Sequence, residues 1–86
     1  MDARKIVGWN VRRVRVERGL TIEDLAGEAG VDASFIGRLE RATVNSSIDT
    51  LEKVAEALKV RIVELFVEPL PGAPKPKPMP RGRRAG

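Results

Sequence analysis

The 86-residue chain contains no cysteine, no histidine and no tyrosine, and its aromatic residues are limited to Trp9, Phe35 and Phe66. Without cysteine no disulfide can staple the fold, and without histidine as well neither a zinc site nor a Cys–His catalytic pair can be assembled. Carboxylates are the strong ligands that remain. They are spread along the chain with no pairing that suggests acid–base chemistry, so no metal, no cofactor and no enzymatic activity are expected. No apolar run approaches the roughly 20 residues that a bilayer span requires, and the first residues lack the apolar h-region of a signal peptide. The expectation is a cytoplasmic protein that does not enter a membrane. Strand-type alternation and internal repeats are absent too, and the length leaves room for one small hydrophobic core.

Proline is missing from the first 68 residues; all six prolines fall within residues 69–80, alternating with lysine in PKPKPMP and followed by RGRRAG. This shift divides the chain into a folded domain over residues 1–68 and a basic, proline-rich tail over residues 69–86. The tail has almost nothing to bury and is expected to be extended or disordered. Charge divides at the same point. The net charge is +4, yet residues 1–68 hold all 12 acids and 11 of the 16 bases, a net of −1. The tail carries Lys75, Lys77, Arg81, Arg83 and Arg84 with no acid. Any affinity of the domain for a polyanion must therefore come from local asymmetry. The tail either adds salt-dependent phosphate contacts or serves as a solubilising terminus or an extended peptide ligand.

Helical spacing accounts for the rest. Val7, Val11 and Val14 mark a first helix from about Ala3 to Arg18, stopped by Gly19. Thr21 caps a second helix, with Asp24 as its capping-box partner, and Gly30 ends it. Asp32 caps a third helix running to about Arg41, and Ala42 to Ser46 is a loop. Ser47 caps a fourth helix whose inner face is Ile48, Leu51, Val54, Ala55 and Leu58. A short fifth helix or turn from Arg61 to Val67 carries Ile62, Leu65 and Phe66. The fold class is all-α, a compact five-helix domain.

The stretch IEDLAGEAGVDASFIGRLE, Ile22 to Glu40, is the informative part. Ala26 is small enough for a second helix to approach, Gly30 supplies the sharp turn, and Ile36 and Leu39 form an i, i+3 apolar pair. This is the pattern of a helix-turn-helix, whose second helix commonly enters the DNA major groove.

The chain resembles the Cro- and phage-repressor-type (Xre-like, lambda-repressor-like) helix-turn-helix domains from about Val7 to Phe66. The matching pieces are Arg12, Arg15 and Gly19-Leu20-Thr21, LA at 25–26, AGV at 29–31 and SFIGRLER at 34–41. The run from Asn45 to Leu51 and VAEALKV at 54–60 with ELF at 64–66 complete the order. The resemblance implies that the third helix faces base edges through Asp32, Ala33, Ser34, Phe35 and Arg38. Of these only Arg38 can give a bidentate pair to guanine, its alternative being a phosphate contact. Ser34 suits base or phosphate, and Ala33 offers a methyl to thymine. Phe35 either presses on a thymine or folds back over the loop around Val44. Asp32 is a helix cap first, with a cytosine contact as the alternative. Thr21, Arg41, Thr43 and Asn45 occupy the family's backbone-contact positions. Arg15 and Glu40 match a pair that bridges the first and third helices in the family. Three positions depart from the pattern: Ile22 replaces the usual Gln, and Ala42 and Ser46 replace the usual Gly and Pro.

Some apolar residues are surplus to a monomer core. Val63 and Val67 are expected at a homodimer contact, and Trp9, with Val16 on the same helix, on the tail or a protein partner. The implied function is a sequence-specific, DNA-binding transcriptional regulator acting as a homodimer on a pseudo-palindromic operator in double-stranded DNA. The competing reading is a protein-interaction or antitoxin-like module built on the same fold.

Overall fold

A computed structural model describes residues 2–70. The tail expectation for residues 71–86 lies outside the described residues. Four α-helices, α1 (Ala3–Glu17), α2 (Ile22–Ala29), α3 (Ala33–Glu40) and α4 (Ile48–Leu58), are followed by a 3-10 turn, Ile62–Phe66. Among the described residues there is no strand, and no helix is long and apolar enough to cross a membrane.

The helices begin where side chains can satisfy free N–H groups. Asp2 accepts from the Lys5 N–H and Ser47 from the Thr50 N–H. At α2 the capping box is complete: the Asp24 N–H donates to Thr21 Oγ1 at 3.0 Å, and the Thr21 N–H donates to the Asp24 carboxylate at 2.9 Å. Asp32 is the exception. It stands at the cap position of α3, but its side chain accepts no cap hydrogen bond, so the expected capping role is corrected to a positional one. All four α-helices end through a left-handed residue: Gly19 (φ 70°), Gly30 (φ 74°), Ala42 (φ 61°) and Lys59 (φ 61°). The next residue's N–H then reaches back to a carbonyl of the last turn, as in Leu20 to Arg15 and Val31 to Ala26.

The core is built from one face of each element. α1 packs on α3, α4 and the 3-10 turn, while α2 packs on α3 and α4. Val11, Leu25, Ile36, Val54, Leu58 and Leu65 are fully buried at the centre. Burying an aliphatic side chain of this size contributes about 1.5–3 kcal/mol, so these six supply much of the driving force. One backbone approach depends on a missing side chain. A Cβ on Gly8 would stand 2.6 Å from the Leu39 carbonyl oxygen and 2.8 Å from that of Glu40, so α1 can lie this close to the end of α3 only with glycine there.

Two expectations are corrected. Ile48 is 60% exposed: as the first residue of α4, its side chain leans back toward the preceding loop and misses the core that Leu51 reaches. The fifth helix is a single 3-10 turn, in which the Glu64 N–H donates to the Arg61 carbonyl at 2.9 Å. Its end has a specific cause. In an α-helix the Leu65 carbonyl would accept from the N–H of residue 69, but residue 69 is proline and has none. The buried Asn10 side chain takes the role, with Nδ2 3.0 Å from Leu65 O and 2.7 Å from Val67 O.

Candidate nucleic-acid interface

The geometry rests on the fixation of α3. Arg15 Nε donates to Glu40 Oε2 at 2.6 Å and Nη2 to Oε1 at 3.0 Å, a bidentate pair with both side chains 6% exposed. Arg15 Nη1 also donates to the Leu20 carbonyl at 2.9 Å. One guanidinium thus ties α1, the α1–α2 turn and the end of α3 together. Desolvation offsets much of the attraction, so the pair specifies orientation more than it adds stability.

With α3 held in this way, its outer side presents a short polar edge that runs from its amino-terminal end to its last turn. Asp32, Ser34 and Arg38 are exposed, and Ala33 is half-buried. The Asp32 carboxylate, not consumed by capping, is an acceptor at this edge. Phe35 is half-buried and packs on the core, as Val44 does. This fits the inward alternative for the ring.

The expected backbone-contact residues lie on either side. Thr21 Oγ1 accepts the cap hydrogen bond, so its hydroxyl proton is left to donate outward. Thr43 differs: its hydroxyl donates to the Arg38 carbonyl at 3.2 Å, which closes the end of α3 and turns its proton into the fold. Arg41 lies back along α3, its Nη1 3.2 Å from where a Cβ on Gly37 would stand. Asn45 is exposed and accepts from Arg4 Nε at 2.7 Å. Sequence reasoning missed Arg4, since nothing local signals a contact 41 residues away. It missed Asn10 as well, an amide placed among valines on the inner face of α1.

The model of the helix-turn-helix family HTH_3 matches residues 11–65. The chain belongs to this family of transcriptional regulators. Among its relatives, the HTH-type transcriptional regulator y4dJ of Sinorhizobium fredii is 43% identical over 76% of this chain and 84% of its own length. The regulator SinR of Bacillus subtilis is 36% identical over 73% of this chain. The chain spans 64% of the Neisseria meningitidis hypothetical transcription factor and 58% of SinR. Among solved structures, the hypothetical transcription factor NHTF from Neisseria superposes with a TM-score of 0.77 at 34% identity, covering 79% of this chain and 78% of that one. The restriction-modification controller protein C.AhdI from Aeromonas hydrophila gives 0.71 at 36% identity, covering 73% and 96%.

Against the helix-turn-helix pattern, two of the three departures have structural accounts. Ile22 packs half-buried against the core, so the position that usually holds Gln is spent on packing. Ala42 adopts the left-handed conformation that the usual Gly would take without cost.

Proposed function

We propose that this helix-turn-helix regulator acts as a homodimer on a pseudo-palindromic operator, with Asp32, Ala33, Ser34 and Arg38 toward the bases and Phe35 packed inward behind them. Thr21, Arg41 and Asn45 then face the sugar–phosphate backbone, while Thr43 keeps its hydroxyl proton on the Arg38 carbonyl. The observation that carries the reading is the exposed edge of Asp32, Ser34 and Arg38 on a helix locked at its carboxyl-terminal end by the buried Arg15–Glu40 pair. Arg38 suits guanine O6 and N7, and the uncapped Asp32 carboxylate suits a cytosine N4 amino group. Exposed apolar residues at Val63, Phe66, Val67 and Leu70 support a two-fold contact through Val63 and Val67. Half-sites should then lie about 34 Å, one helical turn, apart.

Selection of bound duplexes from random DNA tests the reading, with a repeated, inverted motif as the expected result. Arg38→Ala should cost about 1–3 kcal/mol and relax preference at one base position in each half-site. Recovery of no preferred duplex would favour the protein-interaction or antitoxin-like module, for which the loss of the Gln at position 22 and the domain's net charge of −1 speak. Trp9, half-buried on α1, and the tail are then the surfaces to test against protein partners.

A further inference from the structure

Away from the amino-terminal end of α3, the first turn of α1 reaches the loop that follows α3. Arg4 Nε donates to Asn45 Oδ1 at 2.7 Å, and both residues are exposed. The bond sets the chemistry that each partner presents. A carboxamide is an acceptor at one end and a donor at the other. With Oδ1 turned to Arg4, the Asn45 Nδ2 group faces away as a donor. Arg4 spends Nε on this bond and keeps both Nη groups. Among the described residues the ion pairs lie elsewhere, at Arg13–Glu17 and Arg15–Glu40. The edge of the loop is therefore a cluster of N–H donors carrying one positive charge.

A depression of about 100 Å³ opens beside the Arg4–Asn45 bridge, its lining including Val7, Leu39, Val44 and Leu51.

We infer that Arg4 is a further DNA-contact residue, which with Asn45 clamps one backbone phosphate of duplex DNA and turns the Asn45 amide toward it. This rests on the DNA-binding reading above. A planar guanidinium fork beside an amide donor matches two phosphate oxygens. The clamp lies beyond the carboxyl-terminal end of α3, whereas a recognition helix meets base edges with its amino-terminal residues. Arg4 therefore adds affinity and register without adding sequence preference.

The test uses the full chain and the duplex that the parent protein selects, with binding followed by fluorescence anisotropy over a range of salt concentrations. Arg4→Ala should weaken binding about tenfold and reduce the slope of log affinity against log salt by about 0.9, the value for one phosphate contact. The base preference and the melting temperature should stay as in the parent, since the bond is exposed. Asn45→Ala combined with Arg4→Ala should cost less than the sum of the two, because each alone opens the same clamp. Arg4→Gln, which keeps an N–H donor without the charge, should show the same loss of slope. Parent-like affinity and slope in Arg4→Ala, or additive losses in the double variant, overturn the clamp while the DNA-binding reading stands. A parent protein that selects no duplex overturns both.

Discussion

Ala42 and Lys59 each occupy a left-handed conformation, at φ 61°, that costs an L-residue about 1–2 kcal/mol relative to glycine. Ala42→Gly should therefore stabilise the domain by about 1 kcal/mol, raising the melting temperature by roughly 4–8 °C for a chain of this size. A melt that is unchanged or lower would mean the left-handed turn is not strained. Gly8→Ala runs the other way. Its Cβ meets two backbone carbonyls and no flexible side chain, so α1 must shift, at a cost of about 1–3 kcal/mol. Glu40→Ala leaves the buried Arg15 guanidinium without its carboxylate and should cost about 3–5 kcal/mol, measured by denaturant unfolding. Destabilisation of that size would also loosen the orientation of α3, so DNA affinity should fall with it.

At the scale of elements, the carboxyl-terminal turn has the most specific dependence on a partner. The two amide hydrogens of Asn10 are shared among the carbonyls of Leu65, Val67 and its own helix neighbour Ile6. Asn10→Ala would leave the buried Leu65 carbonyl without its donor, at about 1–3 kcal/mol, and free the partly buried Val67 carbonyl as well. Hydrogen exchange should quicken in residues 62–67 before it does in α2 or α3; uniform quickening would show that Asn10 serves the whole core instead. The same turn displays Val63 and Val67, 52% and 55% exposed. Val67→Glu should reduce the sedimenting mass if the homodimer forms there, and an unchanged mass would remove that surface from consideration. How much of these elements the sequence disclosed follows from locality. Thr21, Gly30 and Ser47 act on backbone groups within a few residues, so the bounds of α2 and α4 could be read directly. The shape of residues 62–66 could not, because it is decided by an amide 55 positions earlier and a proline just beyond.

For the whole molecule, the distribution of charge matters more than its sum. Residues 1–21 hold six cations and two acids, whereas residues 22–31 hold three acids and no cation. An approaching duplex is therefore met unevenly by a domain whose net charge is −1. The tail carries a further five cations and no acid beyond residue 70. Removing residues 71–86 should lower non-specific DNA affinity and flatten its salt dependence, by about 0.9 in slope for each phosphate that the tail neutralises, while the selected motif stays the same. A change of motif on truncation would instead give the tail a part in base recognition.

The sequence by itself determined the helical periods, the caps at Thr21 and Ser47, the left-handed stops at Gly19 and Gly30, and the family pattern that joins the first and third helices through Arg15 and Glu40. Each of these is either a local interaction with backbone groups or a spacing that one helix face must satisfy. Tertiary structure alone decided which polar atoms are spent inside the fold and which remain outside. Asp32 stands at a cap without bonding it, Thr43 turns its proton to the Arg38 carbonyl, Ile48 misses the core, and Arg4 crosses to Asn45. The Arg4 bond depends on where a segment 41 residues away ends up in space, the others on local geometry that spacing alone does not show, and a donor already satisfied within the fold is not available to DNA.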